Sequence, residues 1–326
     1  MSATALVLDQ LLETSVVGSF TRVGYDARRR LFHWTAASSM LEKSVLITGA
    51  TSGLGLESAI TMAKLGASVH FIARDETRAR AAREQILAAS TSGEVEYLVA
   101  DMSDLHSVRD VAERMSARSE RLDVLVHNAG AIAPTLTFAS DGVEVTLAAQ
   151  LLGPFLLTQL LLPSLRAAAP GKVVTVSSGG MYTQRFDLAR LTNGVEPYDG
   201  VETYARVKRA LIVVNHEWAR RVPAREVVFA TMHPGWVDTP GVRSSLPRFH
   251  RVMGPLLRSP AQGADTIIWL AADAQLAASD GDFWLDRRVR SEYKVPRTRP
   301  TNPAADQVEL WEWCVARTSP PETLSP

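Results

Sequence analysis

The chain has 326 residues, 46% of them hydrophobic, enough for one large α/β domain or two small ones. Lys plus Arg and Asp plus Glu each number 35, and a zero net charge argues against nucleic acid as a partner, because binding by counterion release needs a basic excess. A single cysteine, Cys314, excludes an intramolecular disulfide and a cysteine-rich metal site, and it fits a reducing, cytoplasmic setting.

Residues 1–42 read as an N-terminal extension. The apolar segment Leu6 to Val17 is broken by Asp9 and Glu13 and has no basic stretch before it, so it is not a secretory signal. Arg28, Arg29 and Arg30 follow, then Leu31-Phe32-His33-Trp34. Two readings stand for this extension. It packs on its own domain or on a second subunit, or it touches a membrane surface or lids an apolar substrate site.

From Lys43 onward, short apolar runs alternate with longer segments of helical period. Ser44–Ile47, Ser68–Ala73, Val95–Ala100, Leu122–His127, Lys172–Ser177 and Val227–Met232 read as strands covered on both faces. Leu105, Val108, Val111, Ala112 and Met115 recur at helical spacing, as do Val207, Leu211, Val214 and Trp218. Such alternation predicts an α/β fold, a doubly wound parallel sheet of the Rossmann type, in a single domain over residues 43–290. The apolar stretch Val145–Leu165 is interrupted by Gln150, Gly153-Pro154 and Gln159, so it reads as a helix of the core or of a subunit interface rather than a membrane span. Residues 291–326 read as a C-terminal extension whose end, Thr318 to Pro326, is a loose tail.

After the first strand comes Thr48-Gly49-Ala50-Thr51-Ser52-Gly53-Leu54-Gly55, leading into a helix. A glycine-rich turn at such a junction brings backbone N–H groups and the positive helix end close to a pyrophosphate. At the end of the second strand no acid stands ready for a ribose 2′-hydroxyl. Arg74 follows directly, a residue that accommodates a 2′-phosphate, while Asp75 is placed to cap the next helix. The reading therefore favours NADP over NAD.

Tyr204 and Lys208 stand four apart and share a helix face, where an ammonium is expected to lower the phenol's pKa. Alone the pair is common. Ser177-Ser178, Asn128-Ala129-Gly130 and Met232-His233-Pro234-Gly235, however, all fall at strand C-terminal ends, where doubly wound sheets bind ligands.

In this order the motifs resemble the short-chain dehydrogenase/reductase superfamily over about residues 43–285. Val173–Met181, Met232–Arg243 and Gln262–Thr266 resemble its dehydrogenase/reductase family member 12 branch. The resemblance implies a carbonyl/alcohol oxidoreductase with Tyr204 as general acid or base, Ser178 on the substrate oxygen, and Lys208 on the nicotinamide ribose. It also implies Asp101, followed by Met102, beside adenine; Asn128, Ala129 and Gly130 along the cofactor cleft; and Pro234, Gly235, Val237 and Thr239 near the carboxamide. Relatives often pair through helices like Val145–Leu165 and Thr203–Val222, which implies a homo-oligomer.

Two residues depart from the pattern. Gln150 stands where many relatives carry an asparagine that supports a water chain to the lysine, so the proton relay is altered or absent, or Gln150 merely bonds within its helix. His127 replaces a frequent asparagine and reads as structural. His233 reads as a support for its loop, and no metal site is expected. Tyr182 either lines the substrate pocket or packs. Leu246, Phe249, Val252, Met253, Leu256 and Leu257 make the segment Asp238–Pro260 apolar, which indicates either a lipophilic substrate or helix packing. The competing function, suggested by Gln150, is a cofactor-binding redox sensor or scaffold without efficient turnover. An epimerase fits poorly, because the Thr48–Gly55 spacing belongs to the dehydrogenases.

Overall fold

A computed structural model describes residues 3–91, 93–193, 197–272 and 280–319. All six apolar runs form strands: β1 Ser44–Thr48, β2 Ser68–Ala73, β3 Val95–Val99, β4 Val124–His127, β5 Gly171–Val176 and β6 Val227–Met232. Ser68–Ala73 and Val227–Met232 keep the predicted bounds, and the other four differ from them by one or two residues. Two strands absent from the sequence reading complete the sheet, β7 Phe283–Leu285 and β8 Arg288–Val289, too short to carry a period. The order is β3-β2-β1-β4-β5-β6-β7-β8. Every pairing is parallel except β7 with β8, so the sheet ends in an antiparallel edge hairpin. The hairpin turn is Asp286-Arg287, both at φ 55°, the left-handed conformation a two-residue turn requires and glycine or asparagine usually supplies.

Three helices precede the sheet: α1 Ala3–Thr14, α2 Val16–Phe20 and α3 Arg22–Leu31. Within the sheet region lie α4 Gly53–Lys64, α5 Glu76–Ala89, α6 Leu105–Arg118, α7 Val145–Leu147, α8 Gly153–Arg166, α9 Leu188–Asn193, α10 Gly200–Arg221, α11 Pro240–Ser245, α12 Pro247–Met253 and α13 Pro260–Ala272. Last comes α14, Pro303–Thr318. Apolar side chains of α4, α5 and α13 pack on one face of the sheet, and those of α6, α8 and α10 on the other. A π turn, Ala148–Leu152, joins α7 to α8. The 22 residues Val145–Arg166 are long and apolar enough to cross a membrane, yet most of them are buried in this core, as expected.

The C-terminal region departs from the sequence reading. Asn302 caps α14 by accepting from the Ala305 amide at 3.3 Å, and Pro303 fits its first turn. Trp311 packs edge-on against Phe155 of α8 and Trp218 of α10, at 5.0 and 4.7 Å between centroids. Leu310 and Cys314 are fully buried. The segment read as a C-terminal extension thus contributes to the core. It also packs against the two helices expected to pair subunits. Thr318 is buried at the helix end, its hydroxyl donating to the Cys314 carbonyl at 2.8 Å. The rest of the predicted tail, residues 320–326, lies outside the described residues.

The N-terminal extension packs on its own domain through an ion cluster. Arg28, Asp286 and Arg258 are at most 1% exposed. Arg28 bonds Asp9 and Asp286 at 2.7 Å each and Glu13 at 2.8 Å. Arg258 grips both oxygens of Asp286, at 2.6 and 2.9 Å. The arginines hold the Asp286 carboxyl below the usual carboxylate range despite its burial, and the bonds over-determine the strained hairpin turn.

Candidate active site

The glycine-rich turn ends β1 and enters α4. Gly49 and Gly53 have φ of 73° and 56°, and a Cβ on Gly49 would lie 2.8 Å from the Ala129 Cα. Gly55 is packed as tightly, its Cβ position 2.4 Å from Asn128 Nδ2 and from the Gly49 carbonyl oxygen. Ser52 precedes α4 in extended backbone and makes no side-chain cap, leaving the first-turn amides available to an anion. Asn128 donates to the carbonyls of Thr48 and Gly49 at 3.0 and 3.1 Å, and Thr48 Oγ1 accepts from the amides of Asn128 and Ala129. Asn128 therefore shapes the turn. Thr48, a polar residue buried at the end of a central strand, is a clamp that the sequence reading left unassigned.

At the end of β2, Arg74 is exposed, with no ion-pair partner among the described residues. Asp75 is occupied as predicted, capping α5 by accepting from the Arg78 amide at 2.7 Å. Asp101 receives two bonds from Ser103 on one oxygen, and Met102 is buried. Thr239 caps α11, and its methyl carbon lies 3.4 Å from the Gly53 Cβ position, which joins the β1 and β6 loops. Val237 is buried and pairs with Arg258. Pro234 and Gly235 follow β6, and Gly235 at φ 77° has no room for a Cβ, which would meet Arg258 Nε at 2.4 Å. A dinucleotide fits this run of clamped turns, with the uncapped α4 N-terminus at its centre.

Ser178, Tyr204 and Lys208 converge where β5 ends and α10 begins. Tyr204 is half-buried, with a hydrogen bond from Ser178. Lys208 Nζ sits 5.3 Å from the Tyr204 ring centroid and donates to the Val176 carbonyl at 2.9 Å. Gln150, in the π turn, donates to the Ala131 carbonyl at 2.7 Å, and its carbonyl oxygen has no partner. That oxygen and Lys208 Nζ lie 2.7 and 3.3 Å from where a Gly130 Cβ would stand. Gly130 is exposed, and the place its Cβ would take is hemmed by a buried orphaned acceptor and the lysine amine, polar groups of the kind a ribose hydroxyl would meet.

Protonation differs from the sequence expectation. Burial raises the Tyr204 phenol above its ordinary value, and the Ser178 bond only partly opposes it. Burial also lowers Lys208 to about 7. Dehydration disfavours both charged forms, so in the bare protein the ammonium does not depress the phenol as expected. A pH prediction follows. An unfolded lysine titrates near 10.4, so between about pH 7 and 9 the unfolded chain holds a proton that folded Lys208 has shed. Urea midpoints should therefore rise from pH 7 to 9, and Lys208→Met should flatten that rise. Parallel pH dependence in both proteins would disprove it.

Other predicted residues are structural. His127 Nε2 bonds Thr158 Oγ1 at 2.7 Å, and burial with Lys208 nearby lowers its pKa to about 3. His233 Nδ1 accepts from the Gly235 amide at 3.2 Å, supporting its loop as expected. Tyr182 is buried and donates to the Ser291 carbonyl at 2.9 Å, so it packs. A cavity of about 210 Å³ lies beside Arg185, Arg190, Arg206 and Arg297, but neither Ser178, Tyr204 nor Lys208 lines it.

The sequence reading missed Phe20. Its ring contacts Tyr182, His233 and Trp236, and comes within 2.8 Å of the Gly179 Cβ position, next to Ser178. Its carbonyl oxygen accepts from the Trp236 amide at 2.8 Å and from Arg258 Nε at 3.0 Å. The extension thus bridges the Ser178 segment and the loop after β6. The apolar segment beyond that loop folds as α11 and α12, which bury no residue, followed by a 3₁₀ turn after which Leu257 is buried. Trp236 packs on Phe249, and Val252 is 76% exposed.

Comparison with known proteins agrees with this geometry. The family model for short chain dehydrogenase matches residues 43–248. Dehydrogenase/reductase SDR family member 12 of Homo sapiens is 38% identical over 270 residues, covering 82% of this chain and 84% of that protein. Retinol dehydrogenase 14 of Mus musculus is 33% identical over 286 residues, covering 83% and 84%. The crystal structure of an uncharacterised protein from Mycobacterium paratuberculosis superposes with a TM-score of 0.69 at 28% identity, covering 87% of this chain and 97% of that one. The chain belongs to the short-chain dehydrogenase/reductase family, in the branch of family member 12, and is a carbonyl/alcohol oxidoreductase using NAD(P).

Proposed function

We propose that this family member is an NADP(H)-dependent reductase or dehydrogenase of a lipophilic carbonyl or alcohol. The observation that carries this reading is the convergence of Ser178, Tyr204 and Lys208 beside Gly130 and the glycine-rich turn. The pyrophosphate would lie on the amides around Gly53 to Gly55, the adenine by Asp101 and Met102, the nicotinamide ribose by Lys208 and Gly130, and the carboxamide by Val237 and Thr239. When bound, the nicotinamide supplies or takes the hydride. Tyr204 gives its proton to the carbonyl oxygen in reduction and withdraws it in oxidation. Burial keeps that proton on the phenol until a developing alkoxide can take it. Ser178 orients the oxygen, and Lys208 returns protons to Tyr204 along the ribose side.

Two features support the finer claims. The apolar side chains that α12 leaves outside the core, half-buried Phe249 against Trp236 and exposed Val252, suit a lipophilic substrate, and the relative named as a retinol dehydrogenase is named for a lipophilic alcohol. Arg74, exposed and without an ion-pair partner among the described residues, follows the strand at whose end the adenosine 2′-phosphate of NADP would lie. Arg74→Ala should weaken NADPH by about tenfold to a hundredfold while leaving NADH nearly unchanged, because one charge-assisted bond is lost. Fluorescence titration with both nucleotides measures this, and equal losses would remove the phosphate contact.

A second reading, a cofactor-bound sensor without efficient turnover, is favoured by Gln150 alone, whose amide is spent on the Ala131 carbonyl. The deciding experiment is titration with NADPH and NADH, followed by absorbance decay against lipophilic aldehydes and ketones. Steady turnover excludes the sensor. Failure of both nucleotides to bind excludes both readings.

A further inference from the structure

Helix α1 is built inside out. Its inward face carries Asp9 and Glu13, which are consumed by Arg28, Arg290 and Lys294. Its outward face carries Leu6, Val7, Leu8 and Leu11, of which Val7 and Leu11 are 58% and 62% exposed. A helix on a water-facing surface has the opposite arrangement. Val16, Val17 and Val23 extend the patch over α2 and α3. Seven of the sixteen exposed large apolar side chains among the described residues therefore fall between Leu6 and Val23. So dense a patch marks an interaction surface.

Charge identifies the partner. Arg22, Arg29 and Arg30 are exposed on α3, the last of the three helices, which also carries the exposed Val23. The acids of this stretch are turned away: Asp9 and Glu13 face inward, and Asp26 is half-buried, accepting from Gln262 at 3.1 Å. An apolar surface with exposed cations and no exposed acid matches an anionic bilayer. A second copy meeting this face about a two-fold axis would set the same arginines against one another. Beneath the patch the helices are joined to the loop after β6, because the buried Phe20 at the end of α2 touches Trp236, and Trp236 touches Phe249.

We propose that residues 3–31 dock the protein on an anionic lipid surface, with Leu6, Val7, Leu11 and Val17 in the apolar boundary and Arg22, Arg29 and Arg30 on the headgroups. The docking stands apart from the catalytic reading, since it uses none of the same residues.

The test is co-sedimentation of the full chain with phosphatidylcholine vesicles containing or lacking phosphatidylserine. Binding should be at least about tenfold tighter with phosphatidylserine and should weaken with salt. Val7→Asp with Leu11→Asp should abolish it, while melting temperature and turnover of a water-soluble aldehyde stay unchanged. Arg29→Gln with Arg30→Gln, which leaves the apolar face intact, should weaken it about tenfold. Absence of binding to phosphatidylserine vesicles would overturn the proposal. So would variants that bind like wild type, or a dimer that Val7→Asp with Leu11→Asp converts to monomer, since a second copy would then own the surface.

Discussion

Tyr204→Phe should bind NADPH as tightly as the wild type and turn over at least about a hundredfold more slowly. The substitution removes one hydroxyl and keeps the ring, so packing at the start of α10 changes little. No neighbour can replace the lost acid. The Ser178 hydroxyl holds its proton too strongly, and Lys208 Nζ points at the Val176 carbonyl, 5.3 Å from the ring centroid. Tyr182, the nearest other phenol along the Ser178 segment, is buried, is spent on the Ser291 carbonyl, and is raised far above its ordinary pKa by burial. Steady-state kinetics with nucleotide titration in parallel separates binding from chemistry. Turnover near that of wild type would remove Tyr204 from its role, and loss of nucleotide affinity would show that the ring shapes the cofactor site instead.

Asp286→Ala should cost about 3–5 kcal/mol of folding stability, or roughly 10 °C in melting temperature for a chain of this size. Asp286 is fully buried between Arg28 and Arg258, so its removal leaves the buried Arg258 guanidinium without a carboxylate, while Arg28 keeps Asp9 and Glu13 but loses one of its three acids. The strain in the Asp286-Arg287 turn also loses the bonds that hold it. The damage should reach the site. Arg258 carries the carbonyls of Ser19, Phe20 and Pro234 at 2.9–3.1 Å, so a displaced Arg258 loosens Phe20 and the loop that includes Val237 and Thr239. Calorimetry with NADPH titration checks both effects. A melting temperature within a degree of wild type would show that the cluster is replaceable by water.

The glycine-rich turn and the Tyr204–Lys208 pair were legible because each is a local pattern. Gly49, Gly53 and Gly55 stand at a strand-to-helix junction, and Tyr204 and Lys208 stand one helical turn apart. Thr48 and Gln150 were visible as residues, but the clamp of the one and the orphaned oxygen of the other depend on what faces them. The short strands β7 and β8 show no period. Helix α14 does have a cap and an apolar stripe, and its Asn302-Pro303 start could have been recognised.

By itself, the sequence determined the alternation of strands and helices, the glycine-rich turn, and the order of the motifs at the strand ends. Those features follow from side-chain period and backbone freedom within a few residues. Tertiary structure alone decided that Phe20 stands beside Ser178, that Arg28 meets Asp286 258 positions away, and that α14 covers α8 and α10. It also decided that Lys208 titrates near 7 rather than near 10, since that depends on the loss of surrounding water. Contacts between distant segments and the exclusion of solvent leave no local pattern in a chain, and they set the protonation of this site and the anchoring of its N-terminal helices.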